Sequence, residues 1–357
     1  LFSHLPILAR IQDPIADVEM MNTKKNPLDM AECVCYKEGA MYSAELLKEV
    51  LNFWGLDLKR ICPEINIAGS PERCDYRMVV EDKKRRLYII ENISPQVVDH
   101  KIRIIKTLEY LSANGLEEIQ TYIPPSEDSS VIQHKESFWQ LVPYVEGIPL
   151  QRPEYVFDRW RGRVLADFLI QLQKTSEDVP YFDRKDPFSI KKYVYDMLGK
   201  LKKHEPGLEK KVRPIFYFLE DSFMEIHNHL SVSFTHGDYH PLNIIWSEDG
   251  IKSVIDWEFA GYKPESYDAA NLIGCIGIEN PQALVGDLVI DFIRSLREAE
   301  FLAEKSWESL LEFILAIRFG WLAEWLRKSD KEMIDLEVIY MNLLVDNAAI
   351  LKKTWRI

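Results

Sequence analysis

"THGDYHPLNIIWSEDGIKSVIDWE", residues 235 to 258, decides how this chain is read. Its first nine residues allow two chemistries. His236, Asp238 and His240 alternate, so on a strand they would share a face, as metal ligands do. Alternatively, Asp238 and Asn243 stand five apart, like the base and the metal ligand of a phosphoryl-transfer loop. The downstream half favours the second. Asp249-Gly250 between apolar strands signals a two-residue hairpin turn. That register pairs Ile244 with Ile255 and sets Asn243 opposite Asp256, with Cβ atoms ~5 Å apart. An amide oxygen and a carboxylate then converge, which suits a magnesium ion shared with phosphate oxygens. A four-residue loop, Ser247 to Gly250, would set Asn243 opposite Val254 instead. The alternating-ligand reading is weaker, because Pro241 interrupts the strand and no second histidine cluster completes a coordination sphere.

Outside this stretch the composition is that of a globular protein, with 47% hydrophobic and 28% charged residues among 357. The formal charge of -13 argues against a nucleic-acid binder, which needs lysine and arginine in excess, and permits a cationic substrate. Five scattered cysteines, with Cys33 and Cys35 one residue apart, complete no zinc pattern and read as free thiols. No apolar run reaches the ~18 residues of a membrane span. "LFSHLPILARI" lacks a basic start and a cleavage site. A cytoplasmic address without membrane contact is expected.

Residues 1–40 show no period and read as an N-terminal extension. Ser43 is a plausible helix cap, followed by the stripe Leu46, Leu47, Val50, Leu51 and Trp54, with Gly55 as the stop. "CDYRMVV" and "RLYIIENI" predict an antiparallel hairpin around the charged turn "EDKKRR". A helix over 96–113, with Val98, Ile102, Ile105, Leu108 and Leu111 on one face, precedes the strand-like "SFWQLVPYVEG" (137–147). Beyond Gly147 the patterns are helical. Val156, Trp160, Val164, Phe168 and Leu172 form one stripe, and Trp321 and Trp325 are candidate core.

"HGDYHPLNIIW" followed by "VIDWEFAGYKPESYDAA" resembles the aminoglycoside phosphotransferase and choline kinase group, which includes homoserine kinases and spore-coat kinase-like proteins. "WQLVPYVEGIPL" resembles that group's hinge, and "AGSPERCDYRMVV" its nucleotide-covering loop. The likeness extends over about 60 to 345 in layout and is strongest over 234–271. It implies an α+β, protein-kinase-like bilobal fold: an N-lobe over 41–146 with a small antiparallel sheet and a helix, a hinge at 141–147, and a large helical C-lobe over 147–357. The catalytic loop would be 236–243 and the metal-binding segment 255–258. By resemblance, Asp238 is the catalytic base, Asn243 and Asp256 hold magnesium, His236 braces the loop and Asp268 anchors it. The roles of His240 and Glu258 stay open. Gly69, Ser70 and Arg73 would cover the phosphates of ATP or GTP, and adenine would meet hinge backbone at Pro143, Tyr144 and Val145, where Pro143 has no N–H to offer.

The chain departs from this group in two places: its nucleotide loop has Gly69 but no second glycine of a G-x-G-x-x-G pattern, and the phosphate-binding cation is displaced. Its relatives carry Lys or Arg on the third strand and an orienting Glu on the next helix. Here the strand position is Glu91, and the helix offers Lys101, Arg103 and Lys106. Four accounts stand. Lys101 or Arg103 reaches the phosphates while Glu91 orients it; Arg77 or Arg86 supplies the cation; nucleotide binds poorly; or Glu91 faces solvent. The expected function is an ATP- and magnesium-dependent kinase acting on a hydroxyl of a small molecule of the aminoglycoside, amino alcohol, homoserine or sugar class. The alternative is a catalytically silent nucleotide-binding scaffold. A protein kinase is disfavoured, because "WEFAGYKPESYDAA" lacks D-F-G and an activation segment ending in A-P-E. Glu265, Trp321 and Glu324 are candidate contacts for a cationic substrate.

Overall fold

Ser43 begins the first helix as its sequence predicts. Its Oγ accepts from the Leu46 amide at 3.2 Å, and α1 (Ala44–Leu51) follows. Gly55, at φ 63°, closes the short turn after it. Leu47, Val50 and Leu51 pack on one face of a sheet through Val80, Tyr88, Ile90, Trp139 and Leu141. The structure, a computed structural model, describes residues 43–69, 74–126 and 129–357. The expected extension over 1–40, Cys33 and Cys35, and Ser70 and Arg73 lie outside them.

The sheet is antiparallel, in the order β1 (Leu58–Ile61), β2 (Tyr76–Asp82), β3 (Leu87–Ile93), β5 (Ser137–Pro143) and β4 (Ile132–His134). The β2–β3 hairpin forms where the alternating pattern places it, with Arg77 opposite Glu91 and Glu91 opposite Gln140 on β5. The edge strands β1 and β4 are too short and too polar to show a period. α2 (Val98–Ala113) bridges two cores. Val98 and Ile105 pack with Ile93 of the sheet, while Ile104, Leu108 and Leu111 join the core of the helical lobe.

That lobe contains α3 (Arg159–Thr175), α4 (Ile190–His204), α5 (Pro206–Ser222), α6 (Tyr267–Glu279), α7 (Asp287–Glu298), α8 (Glu304–Glu308), α9 (Leu310–Lys328), α10 (Lys331–Asp346) and α11 (Ala348–Trp355). In α3 the buried face is Leu165, Ala166, Phe168, Leu169 and Leu172, turned from the expected stripe, so Trp160 and Val164 are only half-buried. The cause is the contact with α7: a Cβ on Gly162 would stand 2.1 Å from the Leu288 carbonyl oxygen, so only glycine allows that approach. Trp325 is core, but Trp321 is half-buried at the edge of the site described below. Arg318 of α9 and Glu337 of α10 form a bidentate pair at 2.5 and 2.6 Å, both fully buried. Cys62, Cys74 and Cys275 are free thiols. No helix among the described residues is long and apolar enough to cross a membrane.

Two small ladders frame the decisive stretch: β6 (Val232–Thr235) with β9 (Gly261–Pro264), and β7 (Ile244–Trp246) with β8 (Ile251–Val254). The expected two-residue register is not adopted. Trp246 pairs with Ile251 across a four-residue loop, closed by Ser247 N–H donating to Gly250 O at 2.9 Å. A bulge at Lys252 then shifts the ladder, so that Ile244 faces Val254 and Asn243 faces neither Asp256 nor Val254 but Ile255, whose N–H donates to Asn243 O at 2.9 Å.

Candidate active site

The loop from β6 to β7 carries Asp238, and the segment from β8 to β9 carries Asp256, so the two ladders bring both to one place. The loop is fixed mainly through its own backbone. Asp268, at the start of α6, accepts the His236 and Gly237 amides at 2.7 and 2.8 Å. Burial pushes its carboxyl up to about 6, against those two amides and the nearby Lys263 ammonium. Gly237 adopts φ 83°, and a Cβ there would lie 2.1 Å from the Phe259 carbonyl oxygen. His236 is fully buried. Its Nδ1 accepts the Asp238 amide at 3.1 Å, and its Nε2–H donates to Ile255 O at 3.0 Å. The ring therefore ties the loop after β6 to the residue before Asp256. Burial holds it neutral, with a pKa lowered to about 4.

Asn243 completes this brace. Its Nδ2 donates to Asp238 O and Oδ2 at 3.0 and 3.1 Å, which holds the Asp238 carboxylate and turns the amide oxygen away from it. Asp256 sits at φ 65°, ψ 59°, a left-handed conformation that costs a non-glycine residue ~1 kcal/mol or more. An amide oxygen and a carboxylate suit a hard cation that keeps waters and phosphate oxygens as its other ligands. The alternating histidine reading fails here, because both His236 nitrogens are engaged by backbone. Among the described residues no group of three or more His, Cys, Asp or Glu could hold a metal ion.

On the sheet side, Gly69 approaches this segment: a Cβ there would be 3.2 Å from Ile255 Cδ1 and 3.9 Å from Asp256 Cβ. At the hinge, the Tyr144 amide donates to Leu87 O at 3.0 Å and Gln120 donates to Pro143 O. Of the three expected hinge residues, Val145 is thus the one whose N–H has no acceptor among the described residues. The cation candidates separate cleanly. Arg86 pairs with Asp82 at the hairpin turn, 2.7 Å away. Arg103 is exposed, its guanidinium 5.9 Å from the Phe182 ring. Arg77 donates to the carbonyls of Ile67 and Gly69 at 3.1 and 2.7 Å, bracing the loop that leads to β2. Lys101 is buried and ion-paired with Glu258. Glu91 does not face open solvent: it is half-buried, and Gln140 Nε2 donates to it.

On the helical side, His240 Nε2 lies 3.7 Å from Asp238 Oδ1, and its ring meets Trp321 edge-on at 5.9 Å. Trp321 Nε1 donates to Asn271 Oδ1 at 3.1 Å. Trp321 therefore borders the site, as the sequence allowed. Glu265 does not. It is buried and accepts from the Ala303 amide and Ser306 Oγ at 2.9 and 2.6 Å, anchoring α8. Glu324 is taken by Arg327 and Lys328, which lower its pKa to about 2. Lys263 was not foreseen. It is buried on β9, donates to Phe259 O, and stands 5.3 Å from the Tyr267 ring; burial lowers its pKa to about 8. Its signal in sequence was a lone cation within the apolar "FAGYKP".

Residues 76–307 match a family model described as the phosphotransferase enzyme family. No curated protein matches the chain. Three solved structures share the fold. An aminoglycoside phosphotransferase from Alicyclobacillus acidocaldarius is similar with a TM-score of 0.62 at 15% identity, over 90% of this chain and 98% of that one. Amicoumacin kinase with AMP-PNP and Ca2+ gives 0.64 at 14% identity, over 85% and 94%. The GDP complex of an aminoglycoside 2'-phosphotransferase gives 0.61 at 15% identity, over 85% and 98%.

Proposed function

The chain belongs to the phosphotransferase enzyme family, and from this we propose that it is an ATP- and magnesium-dependent kinase moving the γ-phosphate to a hydroxyl of a small molecule. The observation that carries the reading is the brace among Asp238, Asn243 and His236, which holds one carboxylate on a loop tied to Ile255, the residue before Asp256. As the acceptor oxygen bonds to the γ-phosphorus, its proton passes to Asp238; the bond from phosphorus to the β,γ-bridging oxygen breaks, and the diphosphate leaves. Asn243 and Asp256 would hold magnesium, which when bound neutralises phosphate charge. The Val145 N–H is the donor open to a purine base. One structural relative was solved with AMP-PNP and Ca2+ and another with GDP, which supports a purine nucleotide donor and makes ATP against GTP a matter for assay. The acceptor is sought among aminoglycosides, amino alcohols, homoserine and sugars.

The test is a magnesium-dependent screen for γ-phosphate transfer over those acceptors. Asp238→Ala is expected to lower turnover by a factor on the order of a thousand or more while nucleotide affinity stays nearly intact. Full activity in that variant would sink the assignment. The position of Glu91 favours a second reading, a silent nucleotide-binding scaffold: a carboxylate on the nucleotide face of β3 repels phosphate unless it is paired. Nucleotide binding without transfer to any acceptor would select it.

A further inference from the structure

Between the sheet and the segment that follows β8, one buried ammonium is paired with a carboxylate. Lys101 is 3% exposed, donates to Glu258 Oε1, and feels the charges of Glu258 and Glu91. Glu258 also lines an open cleft of about 350 Å3 with Asp75, Ser94 and His100, so the carboxylate holding Lys101 borders space that a ligand can enter. Only one of the three ammonium donors has a hydrogen-bond partner among the described residues. The other cations of this lobe that were candidates are engaged elsewhere: Arg77 on loop carbonyls, Arg86 on Asp82, Arg103 over Phe182.

We propose that Lys101, from the helix, is the cation that receives the nucleotide's phosphates, and that Glu91 on the strand and Glu258 beyond Asp256 are positioning residues that aim it. This rests on the phosphotransfer reading of the same site. The charges on strand and helix are then exchanged relative to the group the sequence resembles, while the ion pair of Lys101 itself is made with Glu258. The carboxylates keep Lys101 charged despite burial and fix its long side chain, so little rotamer freedom is lost when a phosphate oxygen arrives.

The test uses the full chain, Mg·AMP-PNP and adenosine, with affinity read by calorimetry. Lys101→Met is expected to bind Mg·AMP-PNP about 10- to 100-fold more weakly, the loss of one charge-assisted hydrogen bond, with adenosine affinity unchanged. The exchange Glu91→Lys with Lys101→Glu returns the ammonium to the site and is expected to recover most of the loss. If Lys101→Met does not fold, Lys101→Met with Glu258→Gln removes the unpaired charge and is expected to show the same selective loss. A folded Lys101 variant that binds Mg·AMP-PNP like the parent overturns the proposal, as does one that loses adenosine and Mg·AMP-PNP alike. A parent that binds Mg·AMP-PNP through Lys101 but transfers no phosphate from ATP overturns the kinase reading and supports this one. A parent that binds neither ligand overturns both.

Discussion

His236 shows how much one residue contributes without touching a substrate. Both of its nitrogens are spent on backbone, one accepting and one donating, and only a neutral ring does both. Its pKa is lowered by burial from 6.5 to about 4. The unfolded chain therefore binds this proton first, so the stability is present above about 6.5 and is lost as pH falls toward about 4, on the order of 3 kcal/mol in all. Asp268, pushed up to about 6, titrates with the opposite sign over an overlapping range, so the comparison is made against His236→Asn. We expect the urea midpoint of the parent to fall more steeply across this window than that of the variant; equal slopes would remove the histidine from the account. Gly237→Ala acts at the same scale. Its Cβ would meet the Phe259 carbonyl at 2.1 Å in a left-handed conformation, and we expect a loss of roughly 2 kcal/mol or more, read as a lower thermal midpoint, together with lower turnover.

Among the elements, the β7–β8 hairpin was legible as a hairpin but not in its register. Asp249-Gly250 correctly marked the reversal, yet the chain closes a four-residue loop and recovers one residue by a bulge. Local turn preference is weaker than the demand that Trp246 and Val254 stay in the core, where both are 1% exposed. Asp256, two residues past β8, adopts a left-handed backbone and does not face Asn243. The α9–α10 contact was invisible in the same way. Arg318 and Glu337 lie 19 residues apart, inside helices whose other residues explain their periodicity. Glu337→Gln strands a buried guanidinium and should cost roughly 3–5 kcal/mol, whereas Arg318→Met with Glu337→Leu should cost much less. Denaturant midpoints of the three proteins decide this, and equal midpoints for single and double variants would contradict it.

At the scale of the molecule, α2 is the element both lobes share, with Ile105 in one core and Ile104 and Leu108 in the other. Lys101 on the same helix reaches Glu258, two residues beyond Asp256, so the proposed nucleotide site and the junction between lobes are held by one strut. A ligand bound there stabilises both lobes together. At 100 times its Kd, Mg·AMP-PNP adds roughly 2.7 kcal/mol, which for a chain of this size raises Tm by about 4 °C. Differential scanning with and without magnesium measures it, and an unchanged Tm at saturating nucleotide would contradict a site that spans the junction.

The sequence by itself determined what local chemistry can determine: the Ser43 cap, the β2–β3 hairpin, the helical character beyond Gly147, and a motif whose spacing pointed to the family. These depend on neighbours a few residues apart, where period, cap and turn preferences act. Only the tertiary structure decided which cation pairs with Glu258, that Glu265 and Glu324 are taken by other partners, that Asp256 adopts a left-handed backbone, and that Lys263 is buried against the Phe259 carbonyl. Each depends on groups brought together from distant parts of the chain, 157 residues apart for Lys101 and Glu258, or on a ladder register. Charge and burial there follow from packing, which no periodicity records.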